Sequence, residues 1–174
     1  MRPKTLGLAV SAAVLAGASP SFGQVNISHD GSQTVYSITA QSGRPFEVSA
    51  AFACPGKEPC RPGIVRVVFG TYTRKVPKYD EDHALSLVAD GDTLTLPPPQ
   101  YAVRQAAANQ VYENIVLMMP IDSFLATANS DRVAYVIGSE EGELSDKQRE
   151  ALAALAEEVL ETEEPRASPD AGNP

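Results

Sequence analysis

The stretch IVRVVFGTYT, residues Ile64–Thr73, is the strongest β-strand signal in the chain. It is rich in β-branched and aromatic residues, which favour strands. Val65, Val67 and Phe69 line one face, and the other face is apolar apart from Arg66. Because a strand that is apolar on both faces is typical of a sheet interior, we expect this one to be central and covered on both sides.

Arg66 interrupts that pattern and allows two interpretations. A buried guanidinium needs a carboxylate or several carbonyl partners. Near a sheet edge, its aliphatic stem covers apolar surface while the charge stays in water. In either case we expect a structural role.

The segment HALSLVADGDTLTL, residues His83–Leu96, predicts a β-hairpin. Asp90-Gly91 favours a type I′ turn, in which both central residues have positive φ. A two-residue loop there puts four leucines on one face in two pairs, Leu87 with Leu94 and Leu85 with Leu96.

The remaining elements follow from short apolar runs between turn residues. Further strands are predicted at Thr34–Ala40, Phe46–Ala53, Val111–Met118 and Val133–Ile137, and a short helix from about Pro120 to Ala128. The Ala/Gln-rich segment Gln100–Gln110 follows three prolines and lacks a clear period, so it is interpreted as an exposed loop or a short helix.

A C-terminal helix is predicted over residues 146–161. Ser145 and Gln148 have the spacing of a capping box. The helix has one apolar stripe, made of Leu152, Leu155, Ala156, Val159 and Leu160. Since a lone helix of this length is marginal in water, we expect it to dock on the β body or on a partner.

Together these signals predict one mainly β (α+β) domain over residues 24–162. We expect an antiparallel β-sandwich or half-open barrel with a short internal helix and a docked C-terminal helix. Residues 163–174 are rich in Glu, Pro, Ser, Asp and Gly, which predicts a disordered acidic tail.

Residues 1–23 have the order of a secretory signal peptide. Arg2 and Lys4 precede the apolar run Leu6–Ala16, and small residues lead to a cleavage site before Gln24. The apolar run is about half the ~20 residues that span a bilayer. We therefore expect a periplasmic or secreted protein without membrane insertion, in a bacterial envelope.

Charge is distributed unevenly along a chain of net charge −8. Glu140–Pro174 holds 11 acidic and 3 basic residues, and this balance argues against binding nucleic acid or an anionic membrane through the overall field. Arg74, Lys75 and Lys78 lie in a locally basic region. They are interpreted either as solvated strand ends or as a site for an acidic surface, namely the protein's own acidic helix or that of a second copy.

Cys54 and Cys60 are predicted to form a disulfide, because an oxidising compartment favours pairing. A ring of about seven residues is expected to contribute roughly 2–2.5 kcal/mol. Their spacing is not the Cys-x-x-Cys of a redox pair, and the sequence offers no Cys/His set with zinc-ligand spacing.

The densest group of oxygen ligands is the segment Tyr79–His83. Asp80, Asp82 and His83 are weak candidate metal ligands, for a hard cation such as calcium. Asp90 and Asp92 lie at the hairpin tip, too far along the chain for one shared site to be expected. The competing interpretation is a solvated turn.

The sequence contains no recognisable catalytic motif and no cofactor motif. The preferred hypothesis is therefore an exported, non-catalytic binding or assembly module with an envelope protein as partner. The alternative is a small extracytoplasmic enzyme or calcium-dependent protein that uses the Asp80–His83 region. The sequence does not specify the ligand or the oligomeric state.

Overall fold

The structure, a computed structural model, describes residues 24–40, 45–57 and 60–161. The predicted signal peptide and the predicted acidic tail lie outside these residues. The larger of two antiparallel sheets contains β1 (Asn26–Asp30), β2 (Gln33–Ala40), β3 (Glu47–Pro55), β4 (Ile64–Arg74), β7 (Gln100–Ala107) and β8 (Gln110–Pro120). The smaller sheet contains β5 (Leu85–Ala89), β6 (Asp92–Thr93), β9 (Val133–Ile137) and β10 (Glu140–Glu143). Two helices complete the fold, α1 (Ile121–Ala128) and α2 (Asp146–Glu161).

The two sheets have the strand orders β1-β2-β3-β4-β8-β7 and β10-β9-β5-β6. Alternating apolar residues give the larger sheet a buried inner face, on which Val65, Val67 and Phe69 are at most 2% exposed. Phe46, just before β3, makes edge-to-face contact with both Phe69 of β4 and Tyr135 of β9. The sheets are thus packed through an aromatic centre, and the predicted mainly-β, sandwich-like fold is confirmed.

The C-terminal helix is docked, as its apolar stripe predicts. α2 contacts β2, β3 and α1. The capping box forms, since the Ser145 amide donates to Oε1 of Gln148 at 2.9 Å, and Nε2 of Gln148 donates onward to the carbonyl oxygen of Phe46 at 2.9 Å. One stripe residue differs from expectation: Leu160 is 44% exposed, because it lies at the end of the helix, beyond its buried neighbour Val159.

The expectation that β4 is covered on both sides is wrong. β4 is central, between β3 and β8, but its second face belongs to an outer face of the larger sheet that no described element covers. Ile64 and Tyr72 are each 52% exposed there, and Arg66 is exposed rather than buried. Val68, in the middle of the strand, is nevertheless only 5% exposed.

The prediction of a loop or helix at Gln100–Gln110 is also wrong. Residues 100–107 form the edge strand β7, which pairs with β8 from Gln100↔Val116 to Ala107↔Gln110. Local composition carries little strand preference here, so pairing with an apolar neighbour decides the conformation. The turn at Ala108-Asn109 returns the chain into β8.

The predicted hairpin has the predicted register, but its second strand is shorter than expected. Asp90 and Gly91 have φ of 50° and 97°, and the Leu94 amide donates to the Leu87 carbonyl at 2.9 Å. Strand β6 nevertheless ends at Thr93, ahead of the prolines at 97–99 that start the crossing to the larger sheet.

Cys54 and Cys60 form the predicted disulfide, with Cα atoms 5.5 Å apart. The bridge ties the end of β3 to the connection that leads into β4. Cys54 is fully buried, so the bridge belongs to the core cluster as well as to the connection. No helix of the described chain is long and apolar enough to cross a membrane.

Candidate functional site

Glu113 is the centre of the most connected polar cluster in the described chain. It lies on the inner face of β8 and is completely buried. Its carboxylate accepts hydrogen bonds from the Thr73 hydroxyl at 2.5 Å, the Tyr101 phenol at 2.8 Å, and the backbone amides of Lys78 and Tyr79 at 2.9 Å. The carboxylate therefore anchors the segment after β4 to the sheet.

The hydrogen bonds to the Glu113 carboxylate determine which groups of this cluster are charged. Burial by itself raises the pKa of Glu113, but the hydrogen bonds from Thr73, Lys78, Tyr79 and Tyr101 together lower it below its ordinary value. Burial also raises the pKa of Tyr101, and its bond to the Glu113 carboxylate raises that pKa further. At neutral pH the carboxylate is thus charged and the phenol neutral, and both oxygens of the carboxylate already accept hydrogen bonds. This arrangement suits an anchor better than a general base.

Among the candidate metal ligands, His83 contacts this cluster directly, whereas Asp80 acts only through its negative charge, which helps to raise the pKa of Tyr101. Its ring stacks on Tyr101 with centroids 5.1 Å apart, and its Nδ1 lies 3.1 Å from the Tyr79 carbonyl oxygen, which accepts the bond. Asp80 and Asp82 are exposed. Within the described ranges, no group of three or more His, Cys, Asp or Glu side chains is arranged to hold a metal ion.

The basic residues Arg74, Lys75 and Lys78, interpreted from the sequence either as solvated strand ends or as a site for an acidic surface, separate into two groups. Nζ of Lys78 forms an ion pair with Glu140 of β10 at 2.5 Å, so its acidic partner is a strand of the smaller sheet and not α2. Arg74 and Lys75, at the end of β4, are exposed and form no ion pair with any described residue.

Sequence reasoning missed a second cluster, on the outer face. The ring of Tyr112 lies across Gly70, where an added Cβ would be 2.1 Å from the phenol oxygen. The Tyr112 hydroxyl donates to Glu47 of β3 at 3.2 Å. Tyr72 packs against the same ring at 4.6 Å, and the Arg104 guanidinium lies 4.8 Å above its centroid. We call Tyr72, Tyr112, Arg74 and Arg104 the outer patch.

The outer patch combines exposed aromatic surface with positive charge. Burial, followed by the negative charge of Glu47, raises the pKa of Tyr112 to about 12, so the phenol stays neutral and holds its bond. Tyr72, Arg104 and Gln110 help to line a shallow, open recess of about 520 Å³ beside it. A cation above an aromatic face contributes about 0.5–1 kcal/mol at an exposed site, which orients Arg104.

A signal for this cluster was present in the sequence. Gly70 interrupts an otherwise β-branched and aromatic strand, and a glycine inside a strand often marks the close approach of another group. The partner of Gly70 could not be inferred from the sequence, because Tyr112 lies 42 residues further along the chain and reaches Gly70 diagonally from β8.

Gly70→Ala is expected to displace the Tyr112 ring and break its bond to Glu47. The pKa of Tyr112 then falls from about 12 toward its ordinary value of 10.0. Since only one partly exposed hydrogen bond is lost, the free energy of unfolding changes by no more than about 1 kcal/mol. Absorbance titration of tyrosinate measures the shift, and Tyr112→Phe in each background identifies the residue responsible. Identical titration curves for wild type and Gly70→Ala would contradict the proposed geometry.

Comparison of the chain with protein-family models, with curated proteins and with solved structures finds no match.

Proposed function

We propose that this chain is an exported, non-catalytic binding module of the bacterial envelope, and that its outer patch binds an acidic surface of an envelope protein. The N-terminal sequence supports export, since it has the order of a signal peptide. The disulfide is compatible with an oxidising, extracytoplasmic compartment.

One observation carries the proposal: Arg74 and Arg104 lie on the same sheet face as the exposed ring of Tyr72 and the half-buried ring of Tyr112, and no described element covers that face. Arg66, Arg74 and Arg104 point to the outer face, and none of them forms an ion pair with a described residue. The chain as a whole carries a net charge of −8. A local positive surface on a protein of net negative charge favours the binding of an acidic surface.

The residue types support a protein partner. Tyr and Arg are enriched among the residues that contribute most to protein–protein binding, because they present large, fairly rigid surfaces with polar ends. The Tyr72 and Tyr112 rings are held in place by each other and by Gly70, so little side-chain entropy remains to be lost on binding.

Site-specific photo-crosslinking tests the proposal. A photoreactive amino acid replaces Tyr72 in the native host, and mass spectrometry identifies the products. We expect one reproducible envelope protein, with a crosslink yield that falls roughly tenfold in Arg74→Glu, equivalent to the loss of about 1.4 kcal/mol. Lys147→Glu, a matched charge reversal at an exposed position of α2, leaves the yield unchanged.

Two outcomes would overturn this proposal. One is a crosslink pattern at Tyr72 no different from that of the same photoreactive residue at exposed Glu157 of α2. The other is a Tyr72 crosslink equally strong in wild type and Arg74→Glu. The enzyme or calcium-dependent hypothesis predicts instead that replacing Asp80 and Asp82 together with asparagine abolishes function while the Tyr72 crosslink is unaffected.

A further inference from the structure

The described part of the chain has four edge strands, and three of them are protected against pairing with another strand. β10 carries three glutamates in four residues, and β6 is only two residues long. β1 has five residues and ends in Asp30. Charge and shortness are the usual means by which natural sheets protect their edges.

The fourth edge strand, β7, lacks this protection. It has eight residues, a single charged side chain (Arg104) and no proline. Val103, the residue before Arg104 in β7, is 46% exposed. Its one irregularity, a register shift between Gln105 and Ala107, affects only the end next to the turn. Residues 100–104 thus form a regular, accessible edge.

The register of β8 shows which of its main-chain groups face β7. At one end of the β4–β8 pair, the Lys75 amide donates to the Asn109 carbonyl at 3.2 Å; at the other, the Ile121 amide donates to the Gly63 carbonyl at 3.1 Å. The pairing between these ends is unbroken. Odd-numbered residues of β8 therefore direct their main-chain groups to β4, and even-numbered residues direct theirs to β7.

The even-numbered residues of β8 pair with Gln100, Ala102 and Arg104 of β7. Those three residues are consequently bonded within the sheet. The amide and carbonyl groups of Tyr101 and Val103 point the other way, to the free edge.

We propose that β7 pairs antiparallel with β7 of a second copy of this chain, about a two-fold axis at Ala102, and joins the two six-stranded sheets into one continuous sheet. In this register Tyr101 of each copy lies opposite Val103 of the other copy. Both residues direct main-chain groups to the edge, so each pair makes two hydrogen bonds.

The side chains of this register are self-complementary. An aromatic and a β-branched residue meet twice on the inner face, which is a favourable cross-strand pair. On the outer face Gln100 meets Arg104, and Ala102 meets its own copy. The two Arg104 residues lie four positions apart along the strands, roughly 13 Å, and are largely screened from one another. This match between β7 and itself favours a second copy over an unrelated strand, and it yields a closed, symmetric dimer.

The contact is small, so the dimer is expected to be weak. Five residues per copy bury less than the roughly 1,000 Å² of a stable interface. We expect dissociation in the micromolar range or weaker, visible as a concentration-dependent mass by sedimentation. The pairing rests on main-chain groups of the edge and does not use Tyr72 or Arg74; Arg104 is the one residue that it shares with the outer patch.

Disulfide trapping tests the register. Ala102 faces its own copy in a non-hydrogen-bonded pair, where Cα atoms lie about 4.5 Å apart, within the range a disulfide spans. We expect Ala102→Cys to form covalent dimers under mild oxidation, whereas Ala126→Cys, an exposed position of α1, does not. Equal dimer yields from the two variants, or efficient trapping only through Val103→Cys, would overturn the register.

Val103→Pro tests the edge itself. The Val103 amide points away from β8, so proline removes a donor to the second copy without removing a bond of the β7–β8 ladder. We expect the dissociation constant to rise at least about tenfold while the urea midpoint stays near that of wild type. Val103→Lys serves the same purpose if the proline variant does not fold. A wild-type chain that sediments as a monomer at every concentration, or a dimer unaffected by Val103→Lys, would overturn the proposal.

Discussion

Glu113→Gln is expected to lower the free energy of unfolding by about 3 kcal/mol at neutral pH. The glutamine amide group would face the donors that now bond the carboxylate, among them the Thr73 hydroxyl and the Lys78 and Tyr79 amides. Hydrogen bonds to a buried charge contribute about 1.5–3 kcal/mol, and each buried donor left without a partner costs about 1–3 kcal/mol. Urea denaturation followed by circular dichroism measures the loss.

The loss of stability caused by Glu113→Gln is expected to become smaller as the pH falls. The pKa of Glu113 is lower in the folded protein than its ordinary value of 4.5. Its stabilising contribution is therefore fully present above the ordinary value and is lost as the pH falls through the lower, folded-state pKa. The difference in the free energy of unfolding between wild type and Glu113→Gln is largest at neutral pH and becomes smaller below about pH 4. A difference that grows on acidification would contradict this account.

Glu47→Gln is the matched control for Glu113→Gln. Glu47 belongs to the same sheet but is only half-buried, and it accepts one side-chain hydrogen bond, from Tyr112. We expect its replacement to cost less than about 1 kcal/mol. If the two variants were equally destabilised, burial and multiple donors would not explain the role of Glu113.

Phe46→Ala is expected to cost about 3–5 kcal/mol, the usual range for removing a buried aromatic ring. Phe46 is 1% exposed, and its ring contacts Phe69 and Tyr135 from the two sheets, together with Tyr79 at 5.3 Å. Its removal leaves a cavity where both sheets and the segment anchored by Glu113 meet. Equilibrium urea unfolding gives the value.

Two control variants are compared with Phe46→Ala. Phe46→Leu keeps most of the buried volume and should lose clearly less stability than alanine. Val76→Ala removes an apolar side chain that is 71% exposed and should change stability by no more than about 0.5 kcal/mol. A Phe46→Ala loss as small as that of Val76→Ala would show that the aromatic centre does not hold the sheets together.

Much of the fold was predictable, since many elements carry a local pattern. Val133–Ile137 was predicted with the bounds that β9 has, and the capping box at Ser145 and Gln148 identified the start of α2. The Asp90-Gly91 turn determined the register of its hairpin, because both residues must adopt positive φ. In each case the deciding interaction lies within a few residues along the chain.

β7 and β10 were not predictable from local pattern. Gln100–Ala107 is Ala/Gln-rich and Glu140–Glu143 is acidic, and neither composition favours a strand. Each becomes a strand because an apolar neighbour, β8 or β9, supplies a hydrogen-bonded ladder. The exposure of the outer face of β4 was not predictable either. An apolar pattern is compatible with burial, but it does not show that another layer covers the strand.

Hydrophobic period, turn chemistry and the number of cysteines are local properties, and they were sufficient to predict the class of the fold, the disulfide between Cys54 and Cys60, and the C-terminal helix. The polar sites, by contrast, could be located only in the folded chain. Glu113 receives its donors from residues 12 to 40 positions away, and the outer patch assembles Tyr72 of β4 with Tyr112 of β8 and Arg104 of β7. Such clusters depend on which strands become neighbours, and that is determined by the packing of the whole core.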